Sequence, residues 1–364
     1  MTQTTTKVRT EVDPDRLQRL VEQAVGDFGA ALNASLVVIG DRLGLYRALA
    51  TSGSCSAGEL AAATDTTERN VREWLSAQSA AGYVSYDGRA DDVDRWSLSP
   101  EQIVAFTDED SPAFLAGGFQ VVTGAAKADE RVTEAFRSGR GLGWHEHHED
   151  LFAGTERFFR PGYAASLVSE WIPALDGVQD RLVDGGLVAD VGCGHGASTI
   201  LLAKAFPRST FAGSDYHAPS IQAARKASAA GGVVANTTFE VAAADAFSGQ
   251  DYDLICYFDC LHDMGDPVGA LRHARAALGS EGVVMLVEPR AGDTVAENLN
   301  PVGRLFYAAS TLICTPASQS QSVSRALGAQ AGVARLTEVA REAGFSRVRQ
   351  ATSTPFNLVL ELRA

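Results

Sequence analysis

Val188-Ala189-Asp190-Val191-Gly192-Cys193-Gly194-His195-Gly196 ends the short apolar run Leu187 to Val191 in three alternate glycines and opens a helix. Glycines in a strand-to-helix turn let the backbone approach where any Cβ would clash, so a ligand is expected against this turn. Outward from it the pattern repeats. Apolar runs Thr210 to Gly213, Phe239 to Ala242, Leu254 to Phe258 and Val283 to Val287 alternate with helical stretches, which predicts a parallel sheet covered on both faces. The chain closes differently, because Ser346 to Ala351 and Phe356 to Leu362 are joined by Thr-Ser-Thr-Pro with no helix between them. Such a terminal hairpin departs from the plain dinucleotide fold.

The glycine turn alone does not choose the cofactor, since nicotinamide enzymes use one too and Asp215 at the end of the second strand suits their ribose equally well. Three features decide. Gly192, Gly194 and Gly196 follow a G-x-G-x-G spacing behind Asp190, an acid that opposes a pyrophosphate and suits a cofactor with a cationic amino group. Asp245, followed by Ala246 and the aromatic Phe247, comes after the third strand, where a carboxylate can accept an adenine amino group beside a ring. The fourth strand runs into Phe258-Asp259-Cys260-Leu261-His262-Asp263-Met264, which puts a His-Asp pair at the carboxyl edge where sheet ligands bind.

VADVGCGHG, the acid in GSD, AAADAF and FDCLHDM in this order resemble the class I S-adenosylmethionine-dependent methyltransferases over roughly residues 180 to 364. With the front domain described below, the chain is similar to the winged-helix small-molecule O-methyltransferases. ERFFRPGY, STLICTPASQSQS and ALGAQAG look like an actinobacterial group of unassigned substrate. The resemblance implies an α/β catalytic domain with a Rossmann-like seven-stranded methyltransferase sheet, S-adenosyl-L-methionine as cofactor and S-adenosyl-L-homocysteine as product. It places Asp190, Gly192, Gly194, Gly196, Asp215, Asp245, Ala246, Phe247 and Asp259 in the cofactor site, and gives the base role to His262. Glu288, ending the fifth strand, is a matching acid that can orient the imidazole. Some related C-methyltransferases bind a metal through a His-Asp pair and a further His. No histidine follows His273 here, so no metal is expected.

In front, Leu17, Leu20, Val21, Ala24, Val25, Phe28 and Leu32 recur at helical spacing, and the stretch to Leu49 is apolar on most sides, as if it wants a partner surface. Ser56-Ala57-Gly58-Glu59 opens a short helix with a capping-box pattern, and Thr66-Thr67-Glu68 opens a second that Gly82 ends. Tyr83 to Tyr86 and Arg95 to Leu98, separated by Asp-Gly-Arg-Ala-Asp-Asp, read as a two-stranded wing. Helix, helix and hairpin make a winged helix, so the expected domains are 1–110 (winged-helix dimerisation domain), 111–180 (helical bridge over the active site) and 181–364 (catalytic domain).

A winged helix can bind DNA, which leaves a cofactor-sensing regulator as the alternative function. Against it, residues 1–100 hold ten Lys and Arg against fourteen Asp and Glu, and the whole chain carries a net charge of −14. Nucleic acid and anionic membranes are therefore not expected partners, and a homodimer is. The opening residues hold no leader-like apolar run, and the run Ala30 to Gly40 is too short to span a bilayer, so a cytoplasmic location is expected. The five cysteines give no C-x-x-C pair and read as reduced, mostly buried thiols.

For the acceptor, Trp144, Phe158, Phe159, Tyr163, Arg304 and Tyr307 supply aromatic walls with few polar groups, suited to a planar small molecule. The His145, His147, His148 run matches no standard metal spacing and reads as a solvated loop or pocket rim. O-methylation is the expected reaction, with N-, S- or C-methylation as alternatives.

Overall fold

The computed structural model describes residues 12–364. Residues 1–11, the greater part of the opening stretch read as lacking a leader, lie outside the described residues. The chain divides into two compact units, one ending at Thr107 and the other running from Asp108 to Ala364.

In the first unit, α1 (Pro14–Arg42) begins behind Asp13, whose Oδ1 accepts from the Asp15 and Arg16 amides at 3.0 and 3.1 Å. By length and composition α1 as a whole is long and apolar enough to cross a membrane, a longer apolar stretch than Ala30 to Gly40 alone suggested. The helix gathers apolar residues on one face, and a linear apolar run underestimates such a face. Next come α2 (Leu45–Ser52), α3 (Ala57–Ala63) and α4 (Glu68–Ala80). The capping box at Ser56 and Glu59 forms as its sequence predicted. Gln78, fully buried on α4, accepts from the Tyr46 hydroxyl at 2.7 Å and donates to Asn33 Oδ1 at 2.6 Å, tying three helices together. The wing is β1 (Ser85–Ala90) and β2 (Val93–Ser97). Its loop is two residues, not six: Asp91 and Asp92 both take positive φ, the turn whose twist matches paired strands, so the ladder extends through the polar stretch. α5 (Pro100–Thr107) closes the unit, with Phe106 stacked on Tyr46 at 4.7 Å.

The second unit opens with α6 (Ala116–Ala126), α7 (Asp129–Ser138), a single turn at Trp144–Glu146 and α8 (Glu149–Ser166). α6 and α8 cross with their backbones nearly touching: a Cβ at Gly154 would sit 2.7 Å from Val121 N, and one at Gly124 2.7 Å from Leu151 N. After α9 (Val178–Asp184) come β3 (Leu187–Val191), α10 (Ala197–Ala205), β4 (Thr210–Asp215), α11 (Ala218–Gly231), β5 (Thr237–Val241), β6 (Tyr252–Phe258), α12 (Pro267–Ala277) and β7 (Leu278–Pro289). Then follow α13 (Pro301–Ala309), α14 (Thr315–Gln319), α15 (Gly332–Glu342), β8 (Arg347–Ser353) and β9 (Asn357–Arg363).

The seven strands run in the order β5-β4-β3-β6-β7-β9-β8. Only β9 runs against the direction of the other six strands, because the terminal hairpin slides its last strand between β7 and β8. Helices α10, α11 and α12 carry the β3–β4, β4–β5 and β6–β7 crossovers, whereas β5 returns to β6 through a loop with no helix, and both faces of the central strands are buried. The order reverses direction at β3, and the carboxyl ends of β3, β4 and β6 meet around that switch point.

Candidate active site

Three glycines bend the chain out of β3. Gly192, Gly194 and Gly196 all have positive φ, at 75°, 53° and 80°, a backbone that side chains with a Cβ resist. A Cβ at Gly192 would meet Cys260 Sγ at 2.8 Å and one at Gly196 would meet Phe239 and Ala224 at 3.0 Å, so two glycines serve packing. The third is different: nothing lies within 4 Å of a Cβ at Gly194, which leaves open space over the turn.

Asp190 sits beneath this turn, 1% exposed. Its Oδ2 accepts from Ser198 Oγ and Thr199 Oγ1, both at 2.6 Å, and burial pushes the carboxyl up to about 6 against the pull of those two hydroxyls. Asp215, at the end of β4, accepts from the Gly194 amide at 3.0 Å and the His217 amide at 2.8 Å, so one carboxylate fixes both neighbouring loops. Burial raises it as well, opposed by those amides.

Past β6 the chain turns through Asp259, whose φ is 49°. Its carboxylate accepts from the Tyr163 hydroxyl at 2.8 Å and the Asn357 amide at 2.8 and 3.1 Å, and burial, then Glu288, raise it to about 7. Three residues on, His262 is 4% exposed and its Nδ1 lies 2.5 Å from Glu288 Oε2. A carboxylate only accepts, so Nδ1 carries the proton and Nε2 keeps the lone pair in the neutral ring. Glu288 Oε1 takes the Leu261 amide at 3.0 Å, which holds the acid against the loop that carries the histidine. Burial acts to lower His262, but the Glu288 carboxylate, followed by Cys314, outweighs it and raises the imidazole well above its ordinary value. Asp263, half-buried, is pushed up to about 7 by desolvation, with His262 opposing the shift.

Other expected site residues are placed differently. Asp245 and Ala246 are exposed on the loop after β5, while the Phe247 ring is 3% exposed, 4.5 Å edge-on from His273. That ring packs in the core, because the loop turns it inward against α12. Tyr163 and Phe159 stack at 5.8 Å on α8, and Phe158 meets Phe159 at 5.1 Å. Trp144 leans on Phe152 at 5.3 Å. Tyr307 is half-buried on α13, but Arg304 lies on that helix's exposed face, away from the side that buries Gly303 and Phe306. The histidine run is not simply solvated: His147 is 6% exposed with neither ring nitrogen hydrogen-bonded, while His148 Nδ1 accepts from the Asp150 amide at 3.1 Å at the start of α8.

Sequence reading passed over Ser198, Thr199, Asn357 and Cys314. A Ser-Thr pair in the first turn after G-x-G-x-G was available as a signal for the first two. Asn357 offered none, since it reaches Asp259 across 98 positions of sequence. All five cysteines are free and four are buried, Cys260 being half-buried with its thiol toward Val191 O at 3.3 Å. Among the described residues no three His, Cys, Asp or Glu side chains converge to hold a metal ion.

Residues 189–284 match a family model described as a methyltransferase domain, and residues 30–107 match one described as an Rv2258c-like winged HTH domain. The second unit thus carries a methyltransferase domain, and the first a winged helix-turn-helix domain. Three solved structures share this methyltransferase architecture along nearly the whole chain. The mitomycin 7-O-methyltransferase MmcR is 18% identical with a TM-score of 0.71, covering 96% of this chain and 100% of its own. A putative O-methyltransferase from Nostoc punctiforme is 18% identical with a TM-score of 0.70, covering 97% and 100%. Human N-acetylserotonin methyltransferase, in complex with SAM, is 14% identical with a TM-score of 0.70, covering 97% and 99%. No curated protein matches the sequence. Within the methyltransferase domain, the His262–Glu288 pair and the Asp190–Gly196 turn lie on adjacent strands, at the carboxyl ends of β6, β7 and β3.

Proposed function

We propose that this chain transfers a methyl group from S-adenosylmethionine to a hydroxyl of a small-molecule acceptor, with His262 as general base and Glu288 as its orienting partner. The observation that carries this reading is the buried His262–Glu288 pair at the same sheet edge as the glycine turn. The residues suit the cofactor: Gly194 leaves room over the turn, and Asp190 and Asp215 supply negative charge for an amino group and acceptors for ribose hydroxyls. When bound, S-adenosylmethionine supplies a methyl group on a positively charged sulfur.

Glu288 holds Nδ1 protonated, so Nε2 of the neutral ring accepts the acceptor's proton. The carboxylate then stabilises the imidazolium that results. Phe158, Phe159 and Tyr163 on α8 and Tyr307 on α13 are the proposed walls that align the acceptor, and alignment carries much of the rate. Incubating the purified chain with methyl-labelled cofactor and a metabolite extract should move label into a product one methyl heavier. Label found on nitrogen, sulfur or carbon would replace the hydroxyl reading, and no transfer at all from extracts of several sources would overturn the enzyme.

The proposed partner is a second copy of the chain, in the cytoplasm, with neither nucleic acid nor membrane. On α1, Leu20, Val25, Phe28 and Leu32 are 61–75% exposed, an apolar stripe that water penalises. On α4, Arg69 pairs with Glu73 at 2.5 Å and Arg72 pairs with Glu68, so the cations that would meet phosphates are already engaged. Light scattering should give twice the chain mass, and less after Val25→Glu with Phe28→Glu. A monomeric mass for the unaltered chain would refute the pairing.

A further inference from the structure

At the opposite edge of the sheet, Arg347 opens β8 and Arg363 closes β9, and the two are direct cross-strand partners. Like charges facing each other on a ladder cost stability unless something of opposite sign lies between them. Arg363 is partly compensated, since its Nε donates to buried Glu361 at 2.5 Å. Glu361 is also shared with Arg349, which pairs with Asp176 at 3.0 Å. Arg347 makes no ion pair among the described residues.

A third arginine faces the same cleft. Arg181 on α9 donates to Glu281 O at 2.5 Å and to Gly177 O at 3.3 Å. Those backbone carbonyls fix the guanidinium in place without neutralising it, and Arg363 is steadied in the same way by Asp176 O at 2.6 Å. Arg181, Arg347 and Arg363, with Asp176, Gly177 and Glu281, line a cleft of about 400 Å³. Of the two acids, Asp176 is already engaged by Arg349. Glu281 has no ion pair among the described residues and offsets one arginine, so Arg181, Arg347, Arg349 and Arg363 outnumber Asp176, Glu281 and Glu361 by one, a local sign opposite to that of a chain with 45 acidic against 31 basic residues.

We propose that this cleft binds a small polyanion through its phosphate or carboxylate oxygens, with Arg181, Arg347 and Arg363 as donors. Planar guanidinium forks suit both oxygen types, and a bound anion removes the repulsion between the cross-strand pair. The site is independent of the methyl-transfer reading and stands or falls apart from it.

The test uses the full chain in calorimetry and thermal unfolding, with inorganic phosphate and citrate as separate probes and sodium chloride matching ionic strength. Saturable binding of either probe supports the site, and which probe binds assigns the oxygen type. Arg347→Ser should weaken that binding at least about tenfold while leaving the anion-free melting temperature equal or higher, because it relieves a like-charge pair. Arg181→Gln should weaken binding in the same way, and covers the case in which the first variant folds poorly. Absence of saturable binding beyond the chloride control, or unchanged binding in both variants, would overturn the proposal.

Discussion

Replacing His262 by alanine should lower kcat by about 10²–10⁴-fold, the usual worth of a positioned base, while S-adenosylmethionine affinity stays near that of the unaltered chain. The separation follows from geometry: the histidine is held by Glu288 and the Leu261 turn, whereas the turn proposed to cradle the cofactor is held by Asp190, Ser198, Thr199 and Asp215. Calorimetry with the cofactor confirms that the variant is folded, and His262→Gln keeps most of the buried volume. The pH profile gives a second readout. Glu288 stabilises the imidazolium more than burial disfavours it, so the acid limb of kcat/KM should lie above the ordinary histidine value of about 6.5. In Glu288→Gln the attraction is gone and burial remains, so the limb should move to lower pH as the rate falls. A limb that does not move in Glu288→Gln, or full turnover in His262→Ala, would remove the pair from the chemistry.

Asp190→Asn should act in opposite directions on stability and on binding. In the unliganded chain the carboxylate is buried and its pKa is raised to about 6, so the charged form is disfavoured there and a neutral isostere should melt at the same temperature or higher. The amide oxygen can still accept from Ser198 and Thr199, which keeps the turn in place. Cofactor affinity should nevertheless fall by 10- to 100-fold, roughly the 1.5–3 kcal/mol of a hydrogen bond to a charged group. Titration calorimetry and thermal unfolding on the same sample check both signs. Lower stability with unchanged affinity would show that Asp190 serves the turn alone.

Much of this was legible in the chain. The glycine turn, the alternating apolar runs and the helix-free terminal pair determined the order of strands and helices and the type of sheet, because each depends on local periodicity or on a backbone that only glycine adopts readily. His262 and Glu288 were legible as strand-end residues, since a parallel sheet gathers its strand ends at one edge. Tertiary structure decided what no local pattern encodes. It turned the Phe247 ring into the core and put Arg304 on the outer face of its helix. It joined Asp259 to Tyr163 and Asn357, residues that lie 96 and 98 positions away. It set Arg347 opposite Arg363. Those outcomes depend on which surfaces pack together, and packing is a property of the folded chain as a whole, whereas periodicity belongs to each segment on its own.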